Sequence, residues 1–187
     1  MHRLSITGRQ RFSSLNSHVR QYARLTGAIA PRFICFVLIG AIAVLSVSLP
    51  PAALAENYTK DILIGVDFSG RSLTDSTFTK ANLRESDFSR ADLRGVSFFG
   101  ANLEGANLEE ANLSFATLDT ARFSNANLKN VVLEGAFAFN TKFDGAVIDG
   151  ADFTDVLLRQ DVQAQLCKIA SGTNPVTGRK TRDTLEC

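Results

Sequence analysis

The chain has 187 residues, with 20 Lys and Arg against 19 Asp and Glu, no tryptophan, two histidines and three cysteines. That length suits one modest domain, and the near-neutral balance leaves no basic footprint of the kind nucleic-acid binding requires. Both histidines, His2 and His18, stand near the N-terminus, so the rest of the chain holds no Ser-His-Asp triad, no Cys-His pair and no histidine-ligated metal; no catalytic residue, metal ligand or cofactor is expected.

Residues 1–55 carry Arg3, Arg9, Arg11, Arg20, Arg24 and Arg32 and no acid, and an apolar run, FICFVLIGAIAVLSVSL, follows over 33–49. Ala53 and Ala55 fit the small-residue rule for signal peptidase, which predicts a signal or targeting segment over 1–55 and a mature start at Glu56. A retained anchor is the alternative, because a run of this length sits at the lower edge of what spans a bilayer; the membrane is met only through the uncleaved leader. No Arg-Arg pair precedes the run, which favours a Sec-type route, and the acid-free leader has room for a short transit element. The leader takes six of the 20 basic residues and none of the 19 acidic ones, leaving 14 against 19 and a net charge of −5. Cys35 leaves with it.

From Leu63 onward the sequence runs in fives. In ANLEGANLEEANLSFATL, Leu103, Leu108, Leu113 and Leu118 each follow an alanine by two positions. A helix would spread these leucines around its whole circumference, and a flat strand would alternate them between faces. The chain must bend once per pentad to keep them inside. The register holds from Leu63, Phe68 and Leu73 through Phe153 to Leu158, with Ala138 as the one small centre. Polar residues and glycine fill most of the other places, which suits an outward face and tight corners.

The pentads ANLEG, ANLEE, ADLRG and ADFTD resemble those of the pentapeptide-repeat family. The resemblance implies an all-β solenoid: a right-handed quadrilateral β-helix of about five turns, with four pentads per turn. With stacked strands roughly 4.8 Å apart the shaft is on the order of 23 Å long. A three-part organisation follows: leader 1–55, β-helix 56–159, and a C-terminal helical cap with a disulfide-closed tail over 160–187. Residues twenty apart then stack. Arg84 faces Glu104, Arg90 faces Glu110, and Glu109, Lys129 and Asp149 form a series. Asn82 lies over Asn102 and Asn107 over Asn127 as amide ladders. Asp67 under Asp87 is either a weak cation site or a tolerated surface pair.

The stretch EGAFAFNTKF breaks the pattern. With Ala138 central, Phe137 and Phe139 point outward, and Phe99 and Phe115 point outward near the same side. Four exposed rings would make a candidate partner patch; the other readings are a bulge that draws one ring inward, or cover from the C-terminal segment. After Leu158, RQDVQAQLCKIASG predicts one short helix with Asp161 as N-cap and Gly172 as stop. TNPVTGRKTRDTLEC then reads as loop with at most a last helical turn. Cys167 and Cys187 bracket this tail, and in an exported protein such a pair reads as a disulfide.

The leader, the opening NYTKDILIGVDFSG and the closing LCKIASGTNPVTGRKTRDTLEC are together similar to the thylakoid-lumen pentapeptide-repeat proteins of cyanobacteria and chloroplasts. The resemblance implies a lumenal home, with the periplasm as alternative, and brings no established activity. The expectation is a non-enzymatic binding or scaffold protein for a lumenal or membrane-extrinsic partner, with no nucleic-acid partner. A redox-responsive regulator, switched at Cys167 and Cys187 by a thiol oxidoreductase, is the alternative. A gyrase-binding DNA mimic is remote, because export separates it from gyrase and −5 is mild.

Overall fold

The computed structural model describes residues 55–187. The basic leader, the apolar run at 33–49 and Ala53 lie outside the described residues. From 56 to 158 each pentad repeats one short bridged segment followed by a tight turn. Parallel bridges link residues twenty apart without a break, from Asn57 with Thr77 to Phe137 with Leu157. One circuit therefore takes twenty residues, and a bend every five gives it four faces. The first face holds the rungs at 56–60, 76–80, 96–100, 116–120 and 136–140, with a last partial rung at 156–158. The second, third and fourth follow at 61–65, 66–70, 71–75 and every twenty residues after.

Each rung is tied to its neighbours by the same backbone pattern. On the second face Leu103 N–H donates to Arg122 C=O at 2.8 Å, Gly105 N–H to Ser124 C=O at 3.0 Å, and Arg122 N–H to Ala101 C=O at 2.9 Å. The corner closes when Ala106 N–H donates to Leu103 C=O at 3.0 Å. That corner needs a left-handed residue at its second position, which glycine adopts freely, as at Gly105 with φ 69°. Glu110 at 61° and Phe115 at 60° take the same conformation with a Cβ, at a cost of roughly 1–2 kcal/mol each.

The ladder begins one pentad earlier than the leucine register indicates. Tyr58 occupies a central position and stacks on Phe78 with centroids 4.7 Å apart. Inside, the central leucines and phenylalanines share the lumen with the small residues two places before them, and Leu83 through Leu128 are sealed from solvent. Phenylalanine rings stack along the axis, Phe68 on Phe88 at 4.8 Å and Phe78 on Phe98 at 5.1 Å. At the lapse, Ala138 is buried and the hydroxyl of buried Thr141 donates to Leu118 C=O at 2.7 Å.

Helix α1, Gln160–Leu166, begins where the coiling stops. Its N-cap is Arg159, without a side-chain cap bond, rather than the expected Asp161. Asp161 sits in the first turn and receives the Arg159 guanidinium at 2.9 and 2.6 Å. The helix also stops at Leu166, well short of Gly172, because residues 167–169 turn so that Ala170 as well as Leu166 reaches the core. A second helix, α2, covers Thr181–Thr184. Between the two, Thr173 and Lys180 pair antiparallel.

Asn174 pins this hairpin to the shaft. It is fully buried, and its amide donates to the carbonyls of Asn130, Val131 and Gly150 at 3.1, 3.3 and 2.9 Å while its oxygen accepts from Val176 and Thr177 N–H. Arg179 adds an ionic clasp, reaching Glu134 and Asp152 at 3.2 Å each and the Thr154 hydroxyl at 2.7 Å.

Candidate functional site

The four outward phenylalanines remain outward. Exposure is 39% at Phe99, 70% at Phe115, 42% at Phe137 and 43% at Phe139. No ring is drawn into the core, and the C-terminal segment packs beneath the last circuit, leaving them uncovered. Phe99, Phe137 and Phe139 share the first face, where Phe99 and Phe139 stand in one column with Asp119 between them. Phe115 occupies the corner leading into that face, its ring lying over Gly135, where an added Cβ would stand 2.8 Å from the ring carbons. Phe137 bridges Leu157, itself half exposed, which extends the apolar strip downward. Leu157 belongs to this patch and was missed, because its pentad reads as the end of the core rather than part of a face. The four rings do not stack on one another; they form a strip rather than a cluster.

Around that strip the first face carries Thr77, Thr79, Ser97 and Thr117 outward, with few charges. The other faces are charged and largely self-compensating. Arg84 lies 3.8 Å from Glu104 and Lys129 lies 3.5 Å from Glu109. Arg90 and Glu110 stack but form no ion pair, nor do Lys129 and Asp149. The amide ladder forms from Asn127 to Asn107 at 3.0 Å and continues from Asn107 to Asp87 at 3.2 Å. Asn82 and Asn102 do not join in this way; the Asn102 side chain accepts from Glu104 N–H, and the Asn82 side-chain oxygen, Oδ1, is buried without a partner among the described residues. Asp67 and Asp87 each accept the N–H two residues on, from Ser69 and Ser89 at 2.8 Å, so these carboxylates serve the local turns instead of converging. Among the described residues, no group of three or more His, Cys, Asp and Glu is placed to hold a metal ion.

At the N-terminal end of the shaft, Ala55 is exposed. Glu56 is engaged at once, its N–H donating to the Ser76 hydroxyl at 3.0 Å and its carbonyl accepting from Thr77 at 2.8 Å. Its carboxylate receives Arg71 at 3.2 Å and the Tyr58 hydroxyl.

At the other end Cys167 and Cys187 are joined, with Cα atoms 5.6 Å apart, and Cys187 is exposed. On the last rung of the fourth face, burial raises the Asp152 pKa, but hydrogen bonds from Thr154 and Thr177 and the Arg179 charge outweigh it and hold this carboxyl below its ordinary value. A cleft of about 460 Å3 opens between α1 and the last rung of the second face, lined among others by Thr141, Lys142, Phe143, Gly145, Val162 and Ile169. Sequence reasoning missed it, because only the departure of the chain at Arg159 creates it.

A family model described as the pentapeptide repeat region matches residues 71–153. The thylakoid lumenal 15 kDa protein 1 of Arabidopsis thaliana chloroplasts is 60% identical over 48 residues, 26% of this chain and 21% of that protein. The thylakoid lumenal protein TL20.3 of the same plant is 51% identical over 43 residues, 23% of this chain and 15% of that protein. The matched stretches thus span about a fifth or less of these curated relatives. The crystal structure of a pentapeptide repeat protein from the Arabidopsis thaliana thylakoid lumen is 48% identical, covers 70% of this chain and 90% of its own, and superposes with a TM-score of 0.69.

Proposed function

Because the chain belongs to the pentapeptide-repeat family and resides in the thylakoid lumen, we propose that it is a binding or scaffold module without enzymatic chemistry, holding a lumenal or membrane-extrinsic partner of the photosynthetic membrane. The family forms right-handed quadrilateral β-helices. In this reading about five turns of shaft are closed at the C-terminal end by a cap of α1 and the disulfide-bonded tail. Maturation before Glu56 belongs to the same proposal, and N-terminal sequencing of the lumenal form tests it.

The observation that carries the reading is the apolar strip on the first face. Phe115 supports it most strongly, since this ring is 70% exposed, more than any of the other three, and a partner that covers it would remove that apolar surface from water. The test is capture from thylakoids with the wild-type protein and with Phe115→Gly and Phe137→Ser variants. A partner that co-purifies with wild type and is lost with both variants supports the patch. Equal capture by all three refutes it.

A second reading, a redox-responsive regulator, is favoured by one observation: the disulfide ends at an exposed Cys187 that a thiol oxidoreductase can reach. Thiol labelling before and after illumination tests it, and unchanged thiol status removes the switch.

A further inference from the structure

The chain stops coiling after Leu158, so the first face carries one rung more than the second, whose last rung is 141–145. One rung higher, Phe123 N–H donates to Lys142 C=O at 2.8 Å, Asn125 N–H to Asp144 C=O at 2.8 Å, and Lys142 N–H to Ala121 C=O at 3.0 Å. The corresponding groups of the last rung are Phe143 N–H, Gly145 N–H and Thr141 C=O. Among the described residues none of the three has a hydrogen-bond partner.

Helix α1 runs across the slot from this edge, and none of its groups bonds to the three. Its hydrogen bonds begin with Gln163 N–H to Arg159 C=O at 2.9 Å. That bond also takes the carbonyl Asn140 would have used. Alone among the second corner residues from Lys60 to Asp155, Asn140 lacks a positive φ, and its N–H turns to the Asp119 carboxylate at 3.0 Å. What remains is a slot of about 460 Å3 with an open strand edge on one side and, on the other, Val162 of α1 and Ile169 of the turn that follows it.

An open edge is a template for another strand, and extended peptides add to such edges through main-chain hydrogen bonds. The outward column on this face ends in two cations, Arg122 bridged to Lys142, both exposed. Neither takes part in any ion pair among the described residues. A strand entering in the parallel register of the shaft would set one side chain directly beside Lys142, where a carboxylate offsets the stacked like charges and a third cation adds to them.

We propose that this slot binds an extended segment of a partner protein as the missing rung, with an acidic side chain beside Lys142. The acidic residue's N–H donates to Thr141 C=O and its C=O accepts from Phe143 N–H. The carbonyl two residues on accepts from Gly145 N–H. The site is separate from the phenylalanine strip, and the two stand or fall independently.

The probe is the blocked hexapeptide Ser-Ala-Asp-Val-Ser-Asn, read by NMR amide exchange on the protein as isolated. In the free protein the Phe143 and Gly145 amides should exchange at least about tenfold faster than those of Phe123 and Asn125, whose bonds are formed. The peptide at millimolar concentration should slow both by about tenfold or more, since exchange then requires the added strand to open. The same peptide with Lys for Asp, or N-methylated at Asp, should not. The Lys142→Glu variant should reverse the preference between the Asp and Lys peptides.

Three results overturn the proposal. Both amides could already exchange slowly in dilute protein, which means the chain closes its own edge. Their protection could rise with protein concentration, which makes the occupant a second copy. The Asp peptide could fail to protect them at all. A Phe139→Ser variant that still responds to the peptide, while wild-type and Phe variants capture partners equally, would leave the slot standing and remove the phenylalanine reading.

Discussion

Truncating Leu113 to alanine tests the inward assignment at its centre. Leu113 is a fully buried central residue of the fourth face, between Leu93 above and Leu133 below, and its N–H donates to Val132 C=O at 2.7 Å. Losing the side chain beyond Cβ removes three carbons' worth of transfer free energy, roughly 2.4 kcal/mol at about 0.8 per methylene. The inter-rung hydrogen bonds fix the spacing of the circuits, so the neighbours cannot settle into the space. An unrelaxed void of about 80 Å3 then adds roughly 2 kcal/mol at about 24 cal/mol per Å3. Leu113→Ala should therefore cost about 4 kcal/mol. Glu110→Ala is the control, since alanine at φ 61° meets the same left-handed strain as glutamate, and the change should stay within about 0.5 kcal/mol. Urea unfolding followed by far-ultraviolet circular dichroism gives both values. Equal midpoints, or a larger loss at Glu110, would refute the division into inward and outward positions.

Phe115→Gly should leave stability unchanged or raise it by up to about 1 kcal/mol, because relief of left-handed strain is partly offset by the unfolded-state entropy of glycine; a thermal-melt loss above about 1 kcal/mol would show that the ring over Gly135 is structural. The depressed Asp152 pKa contributes stability that is present above the unfolded value of about 3.9 and is lost as pH falls through the folded-state pKa. Melting temperature should therefore drop as pH falls below about 4 in the wild type, and Asp152→Asn should flatten that part of the curve. Cys187→Ser should remove roughly 3 kcal/mol of constraint on the tail, read as faster amide exchange over 160–187 with protection retained in the shaft; equal loss throughout the shaft would contradict a local role.

Much of the fold was legible because the five-residue period leaves few solutions. Leu103, Leu108, Leu113 and Leu118 can share one interior only if the chain turns a corner between each pair. The stacking of Arg84 on Glu104 and of Asn107 on Asn127 follows from twenty residues per circuit. Tyr58 escaped because the pentad ENYTK has neither the alanine nor the leucine that marks the others; its ring enters the stack because Phe78 leaves an apolar surface above it. Arg90 and Glu110 show the limit of column reasoning. The column makes two side chains neighbours, and their rotamers decide whether they meet. Asp161 failed as an N-cap because the backbone leaves the last rung at Arg159, whose carbonyl starts the helix.

The sequence by itself determined the period, the interior, the pairing of circuits and the cysteines available to the tail, because each depends on spacing along the chain. Only the tertiary structure decided that Asn174 pins the tail to carbonyls as far away in sequence as Asn130, that Arg179 clasps Asp152 and Glu134, and that the aromatic strip stays uncovered. It also decided that Thr141, Phe143 and Gly145 end with unpaired backbone groups. A repeat specifies the neighbours of a middle rung and carries no information about a rung with none below it. What covers that last rung depends on where the chain turns away and on which residues far along it fold back.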